Sequence, residues 1–296
     1  MPYGTGVKLV LLAALLWSLN GLLIRQIDQA GTWAVLFWRS AGMIPVLLAV
    51  IAWRSGGVVA PLRRVGWSGL IGGLGLVLAF GGAIFAFQAT TVANAVFLFS
   101  ASPFLAAILG WLILRESVRP ATWAAIALAG VGMFVMVREG LAAGAMAGNV
   151  AALVSALGFA SFTIALRWGR LADMLPAVVL GGLLSMLAAA AVLAVQGQAL
   201  WVPARDIAIS LAMGAVILAT GMALYTAGSR VIPAAELTLL SMVEVLLAPV
   251  WVFLALGETA SRGTFAGGAV LMAAVALNAL SGARQMRRGP VLGVGR

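Results

Sequence analysis

Glu244 stands near the centre of a long apolar stretch spanning about residues 233 to 256. A carboxylate in hydrocarbon is costly, and where one is kept it marks an ion or substrate path by default. Three roles fit it: a proton-coupling group, a ligand for a substrate ammonium, or a structural carboxylate that stays protonated or paired. The chain has no histidine, so any proton coupling must use a carboxylate, and Glu244 is the candidate. It has no cysteine either, which removes disulfides, thiolate chemistry and, together with the missing histidine, the commonest transition-metal ligands. No metal and no cofactor is therefore expected. An enzyme would need paired carboxylates or a nucleophile with its base, and the sequence holds no such cluster.

Other candidates are polar or aromatic residues set in apolar surroundings. Trp17 and Asn20 are three apart and share a helical face, one offering a flat apolar surface with an N–H, the other amide donors and acceptors. Asn94, Phe97 and Ser100 form a stripe with the same spacing. Phe85 and Gln88 close one apolar run, and Tyr225 closes another. For each a bland reading stands beside the functional one: an amide bonding a neighbouring helix, an aromatic filling space or sitting at the membrane interface. Glu116 and Glu258 end their runs beside Arg115, Arg119 and Arg262, so a salt bridge or helix-end contact is expected of them. Arg39, early in its run, is expected to snorkel outward.

The elements that must position these groups follow from composition. The 296 residues are 64% hydrophobic and 9% charged, with mean hydropathy +1.13, too apolar for one soluble core. Ten apolar runs have the length of a membrane-spanning helix: about 7 to 24, 33 to 53, 67 to 87, 92 to 114, 121 to 137, 148 to 168, 175 to 195, 207 to 228, 233 to 256 and 263 to 282. The first is read as a retained helix, since no small-residue cleavage site precedes a polar domain. An all-α integral membrane protein results. The net charge of +10 is scattered over short connections, which argues for membrane orientation and against nucleic acid. With the amino-terminus in the cytoplasm, only Arg25, Arg39, Arg138, Arg205 and Arg262 of the 18 basic residues lie outside. Both termini are accordingly expected in the cytoplasm.

Two of the runs are interrupted alike. Val92 to Glu116 carries Pro103 near its middle, flanked by Ser100 and Ser102, and Ala234 to Glu258 carries Pro249. A proline inside a helix frees a carbonyl that needs protein or water nearby. A shift of 142 positions lays Ala14, Leu15, Trp17 and Arg25 on Ala156, Leu157, Phe159 and Arg167, and Leu105, Ala106 and Glu116 on Leu247, Ala248 and Glu258. Five helices per repeat is odd, so the second half must enter the membrane from the opposite side, as in secondary transporters whose sites lie between inverted halves. The expected organisation is a first five-helix repeat over 1–140, a second, inverted one over 141–284, and a basic tail over 285–296. Phe159, as the mate of Trp17, would oppose it across the pseudo-twofold axis. Pro103 and Pro249 are expected to mark kinks that either gate access or only shape the cavity. Glycines such as Gly72, Gly75, Gly267 and Gly268 read as sites of close helix approach.

The pattern A-x-x-x-x-L-x-x-x-x-P-F-x-A-A-I-L-G-W-L-x-L-x-E from Ala93 to Glu116, followed by Gly130, Val131 and Gly132, resembles the EamA repeat of the drug/metabolite transporter superfamily. So does E-V-L-L-A-P-V-W-x-x-x-x-L-G-E from Glu244 to Glu258, although Val245 stands where the family commonly has proline and Pro249 follows a turn later. With its Trp17-Ser18-Leu19-Asn20 opening the chain is most similar to bacterial amino-acid exporters of the YddG type. The resemblance implies a basket in which helices 1, 3, 4, 6, 8 and 9 line a central cavity while 5 and 10 pack peripherally.

The function expected is a secondary transporter of the bacterial inner membrane that exports small metabolites, by resemblance neutral and aromatic amino acids, by alternating access. Its partners would be that small-molecule substrate and the lipid bilayer, and nothing in the sequence requires more than a monomer. A drug/proton antiporter of the same superfamily is the alternative, and a non-transporting structural membrane subunit is the alternative of another class.

Overall fold

A chain with no water around it must satisfy its backbone within each segment, and this one does so with helices throughout. The computed structural model describes residues 1–142, 145–170 and 173–287, and no strand occurs among them. Among the described residues ten helices are long and apolar enough to cross a bilayer. They are α1 (Tyr3–Ile24), α2 (Thr32–Ser55), α3 (Gly66–Ala89), α4 (Val92–Leu114), α5 (Pro120–Ala142), α6 (Met146–Trp168), α7 (Leu175–Gln196), α8 (Ala204–Gly228), α9 (Ala234–Leu256) and α10 (Arg262–Arg287). The tail beyond Arg287 lies outside the described residues. The end of the bundle where α1 begins is called the near end below, and the end where it finishes the far end.

Three of these helices are not regular. In α1 the ladder breaks at Leu19, between Tyr3–Ser18 and Asn20–Ile24. The Ser18 hydroxyl donates to the Leu15 carbonyl at 2.7 Å and the Asn20 amide to the Trp17 carbonyl at 3.0 Å, so side chains take acceptors the ladder would use. In α4 the break falls at Ser100 and Ala101, immediately before Pro103, whose ring fits the first turn of the segment Ser102–Leu114. In α8 the seven residues Met213–Ala219 form a π turn, a feature that recurs at functional sites. By contrast α9 runs unbroken through Pro249.

Packing rests on small residues. α3 crosses α6 antiparallel with glycine on glycine: a Cβ at Gly75 would lie 2.7 Å from the Gly158 carbonyl oxygen, and one at Gly158 would lie 2.5 Å from that of Gly75. α1 crosses α8 in the same way at Gly6 and Gly228, and α5 meets α10 at Gly132 and Gly267. α7 packs on α2 and α3, α2 on α8, and α9 on α1.

Asp206 fastens the far end. Its carboxylate is 1% exposed and accepts hydrogen bonds from three successive backbone amides, Asp28 at 3.3 Å and Gln29 and Ala30 at 2.9 Å each. The loop after α1 is thereby pinned to the first turn of α8. Charged acceptors of this kind are the strong ones. Asp206→Asn is expected to destabilise the fold by about 3 kcal/mol, because an amide nitrogen turned toward those N–H groups leaves buried donors unmet. A fall in the melting temperature in detergent checks this, and a melting point equal to that of the wild type would refute it.

Candidate functional site

Accessible space beside the helices can be located from burial alone. Every residue of α4 from Val92 to Leu98 is buried, whereas none from Leu105 to Leu109 is, a stretch longer than one turn. In α9 no residue from Glu236 to Leu247 is buried. A helix facing lipid on one side and protein on the other always keeps a buried stripe. Here neither stretch has such a stripe, although Met242 and Val245 of α9 pack against the core, so the loosely covered near-end halves of α4 and α9 mark the candidate cavity. Its far end is sealed, since α9 packs there against the Val92–Phe99 half of α4, while the near half of α4 leans on α6 and α5.

Glu244 lies on this open stretch and is half-buried. Ser241 precedes it by three residues and so shares its face. The Tyr225 hydroxyl of α8 lies beside Ser241 and Glu244, while the Ser241 hydroxyl donates to the Leu237 carbonyl at 2.9 Å. The Tyr225 ring meets Trp17 with centroids 5.4 Å apart and planes tilted by 42°, a favourable aromatic geometry. Trp17 occupies this place only because α8 has no side chain at Gly221, where a Cβ would lie 2.2 Å from the indole nitrogen. The indole N–H of Trp17 and the amide oxygen of Asn20 are both buried without a hydrogen-bond partner among the described residues. Trp251 of α9 donates to the buried Ser18 hydroxyl at 2.9 Å and holds α9 against the break in α1. α1, α8 and α9 therefore bring together an aromatic wall, two hydroxyls, one carboxylate, and a donor and an acceptor that no described residue satisfies. That set suits a small molecule carrying an apolar part and an ionic head.

Of the sequence-predicted residues, the structure gathers Trp17, Asn20, Tyr225 and Glu244 here. Asn94 lies elsewhere, buried at the far end, where its amide donates to Asn149 of α6 and to Thr90, and Thr264 of α10 donates to its oxygen. Phe97 presses on Gly268 of α10. Gln88 accepts from the Thr32 hydroxyl at 2.6 Å and donates to the Ala30 carbonyl, tying α3 to α2. Ser100 donates to the Phe97 carbonyl at the break in α4. Phe85 is exposed near the far end of α3, and Phe159 is exposed on α6 beside Phe162. Pro103 is exposed at the start of the near half of α4, and Pro249 sits inside a continuous helix.

One expectation about charge needs correction. Arg39 does not snorkel: it is 4% exposed, with its guanidinium 4.9 Å from the centre of the Phe80 ring. It sits seven residues inside α2, too deep to reach the interface, and the aromatic face shelters it. Glu116 and Glu258 form salt bridges as expected, with partners on other helices rather than the adjacent arginines. Glu258 pairs with Arg25 at 2.8 Å and Glu116 with Arg167 at 2.6 Å. Both partners are remote in sequence, and the 142-residue offset relates one pair to the other.

Ser241 was missed because a serine in a spanning helix bonds its own backbone cheaply. Its signal was the three-residue spacing from Glu244. Among the described residues no group of three His, Cys, Asp or Glu could hold a metal ion.

No curated protein matches the chain. A solved crystal structure matches over 95% of this chain and 99% of its own, with a TM-score of 0.66 and 19% identity. At that identity the likeness is one of fold. Through its first five helices the chain is similar to the EamA-like transporter family, whose family model matches residues 4–138.

Proposed function

We propose that the whole chain is a member of this family and works as a secondary transporter, exporting small amphiphilic metabolites, neutral and aromatic amino acids foremost, across a bacterial inner membrane with both termini cytoplasmic. The observation that carries the reading is the cavity between α4 and α9, open at the near end, with Trp17, Asn20, Tyr225, Ser241 and Glu244 at its side. An aromatic side chain would stack on Trp17 and Tyr225. A carboxylate would accept from the free indole N–H, and an ammonium would meet Asn20 and Glu244.

Packing supports two inverted five-helix repeats. α6 meets α3 and α4 as α1 meets α8 and α9, while α2 with α7 and α5 with α10 pair across the centre. These are the contacts that exchange of the two halves requires. A cavity open at one end and sealed at the other supports alternating access.

The test is uptake into proteoliposomes of labelled aromatic and neutral amino acids, and of a lipophilic cation, with and without a pH gradient. Saturable amino-acid movement is expected. Movement of the cation alone, driven by the gradient, would establish a drug/proton antiporter instead, and no movement of either would end the proposal. Glu244→Gln is expected to lower gradient-driven transport about tenfold or more, since it removes the titratable group at mid-depth. Gradient dependence equal to that of the wild type would remove Glu244 as the coupling group.

A further inference from the structure

The two ion pairs do more than close helix ends. Glu258 follows Gly257, the left-handed residue that ends α9 (φ 68°), and Glu116 follows Arg115, the left-handed residue that ends α4 (φ 54°). Residues 115 and 257 are equivalent under the 142-residue offset, so the same local turn presents each carboxylate. At the far end Glu258 does two things at once. One oxygen accepts from Arg25 Nε at 2.8 Å, and the other accepts from the backbone N–H of Val92, in the first turn of α4, at 2.7 Å. Arg25 in turn donates to the Thr90 carbonyl at 2.7 Å. A carboxylate at a helix N-terminus is held by unsatisfied N–H groups and the helix dipole together. The dyad from α1 and α9 is thereby docked on α4, with side-chain exposures of only 24% and 21%.

At the near end the equivalent dyad, Arg167 of α6 with Glu116 of α4, is formed but stands in the open, with exposures of 50% and 36%. Under the same offset the counterpart of Val92 is Ala234, the first residue of α9. The end with the docked, half-buried dyad is the sealed one, and the end with the more exposed dyad is the open one.

We propose that the two dyads are equivalent clamps that seal the two ends of the cavity in alternation, the Arg25–Glu258 pair by docking on the first turn of α4 and the Glu116–Arg167 pair by docking on the first turn of α9. The proposal deepens the transporter reading and rests on alternating access, but its test needs no substrate. Breaking the far clamp shifts the population toward the state open at the far end. Breaking the near clamp cannot do so, because the near end, where that dyad stands exposed, is open already.

The chain has no cysteine, so single-cysteine reporters can be read with a membrane-impermeant thiol reagent in oriented vesicles. Ala93→Cys, buried beside Glu258, reports opening of the far end, and Ser241→Cys reports the near end. Adding Glu258→Gln is expected to raise far-side labelling at position 93 about tenfold and to lower near-side labelling at position 241, while Glu116→Gln leaves position 93 protected. Arg25→Gln reads the same clamp where the first variant does not fold. The charge swap Arg25→Glu with Glu258→Arg separates a clamp from a plain ion pair. It keeps the pair, but an arginine at position 258 cannot accept from the Val92 N–H, so protection at position 93 stays lost. Unchanged labelling in both Glu258→Gln and Arg25→Gln, or protection restored by the swap, would overturn the proposal. If labelling shifts as expected while no cargo moves in the uptake assay, the transporter reading fails and the clamps stand.

Discussion

Gly158→Ala is expected to cost the fold about 4 kcal/mol or more and to remove most folded protein from the membrane. The added Cβ would stand 2.5 Å from the Gly75 carbonyl oxygen, 2.6 Å from the Ala79 amide nitrogen and 3.0 Å from the Leu78 Cβ. Two of these three are backbone atoms of α3, so no side-chain rotation relieves the contact and the helices must separate. Separation breaks the neighbouring contacts in turn: Gly82 on the Ala151 carbonyl, and the 2.7 Å bond from the Ser155 hydroxyl to the Ala79 carbonyl. Overpacking that the backbone cannot absorb lies at the severe end of single substitutions. Gly130→Ala is the control, because a Cβ there meets nothing within 4 Å and a helix-interior alanine is if anything favourable. The yield of monodisperse protein and its melting temperature in detergent decide the matter, and similar values for the two variants would refute the argument.

The contrast between these glycines also marks how far the sequence could be read. Ten helices were legible because hydropathy and length fix a spanning segment without reference to anything else. The close approaches at Gly75 and Gly267 were legible as a class, but which helix each one meets was not. The irregularities divide in the same way. Pro103 announced the interruption of α4. The break in α1 accompanies the side-chain bonds of Ser18 and Asn20, and neither it nor the π turn in α8 leaves a comparable signal. In the site, Trp17, Tyr225 and Glu244 stood out because such residues are anomalous in an apolar helix. Asn94 and Gln88 were anomalous for the same reason, yet each is satisfied by a residue distant in sequence, Asn149 for one and Thr32 for the other. A buried polar group shows that a partner exists and does not show whether that partner is protein or ligand. Arg25 and Glu258 teach the same lesson: both charges, and their match with Arg167 and Glu116, were visible in the sequence, but the crosswise pairing required the fold.

Trp17→Ala is the second large effect, and it falls on transport. On the proposed reading the indole, tilted against Tyr225 and filling the space over Gly221, forms one wall of the cavity. Its loss removes the aromatic surface and a buried N–H in that wall that has no partner among the described residues. Loss of an aromatic stacking partner together with one hydrogen bond to an ionic head amounts to about 2 kcal/mol, or a rise in the transport KM of about thirtyfold. Trp17→Phe separates the two contributions, since it keeps a ring and drops the donor. Its expected loss is about fivefold for a substrate with a carboxylate, and nothing for the decarboxylated amine, which has no acceptor to offer the indole. Insertion and melting temperature are expected to change little in Trp17→Phe, because the ring still covers Gly221. Uptake of an amino acid and its amine by the two variants, side by side, reads the result. Equal losses for both substrates in Trp17→Phe would mean that the indole N–H is not the group that holds the carboxylate, and wild-type uptake in Trp17→Ala would remove this wall from the site.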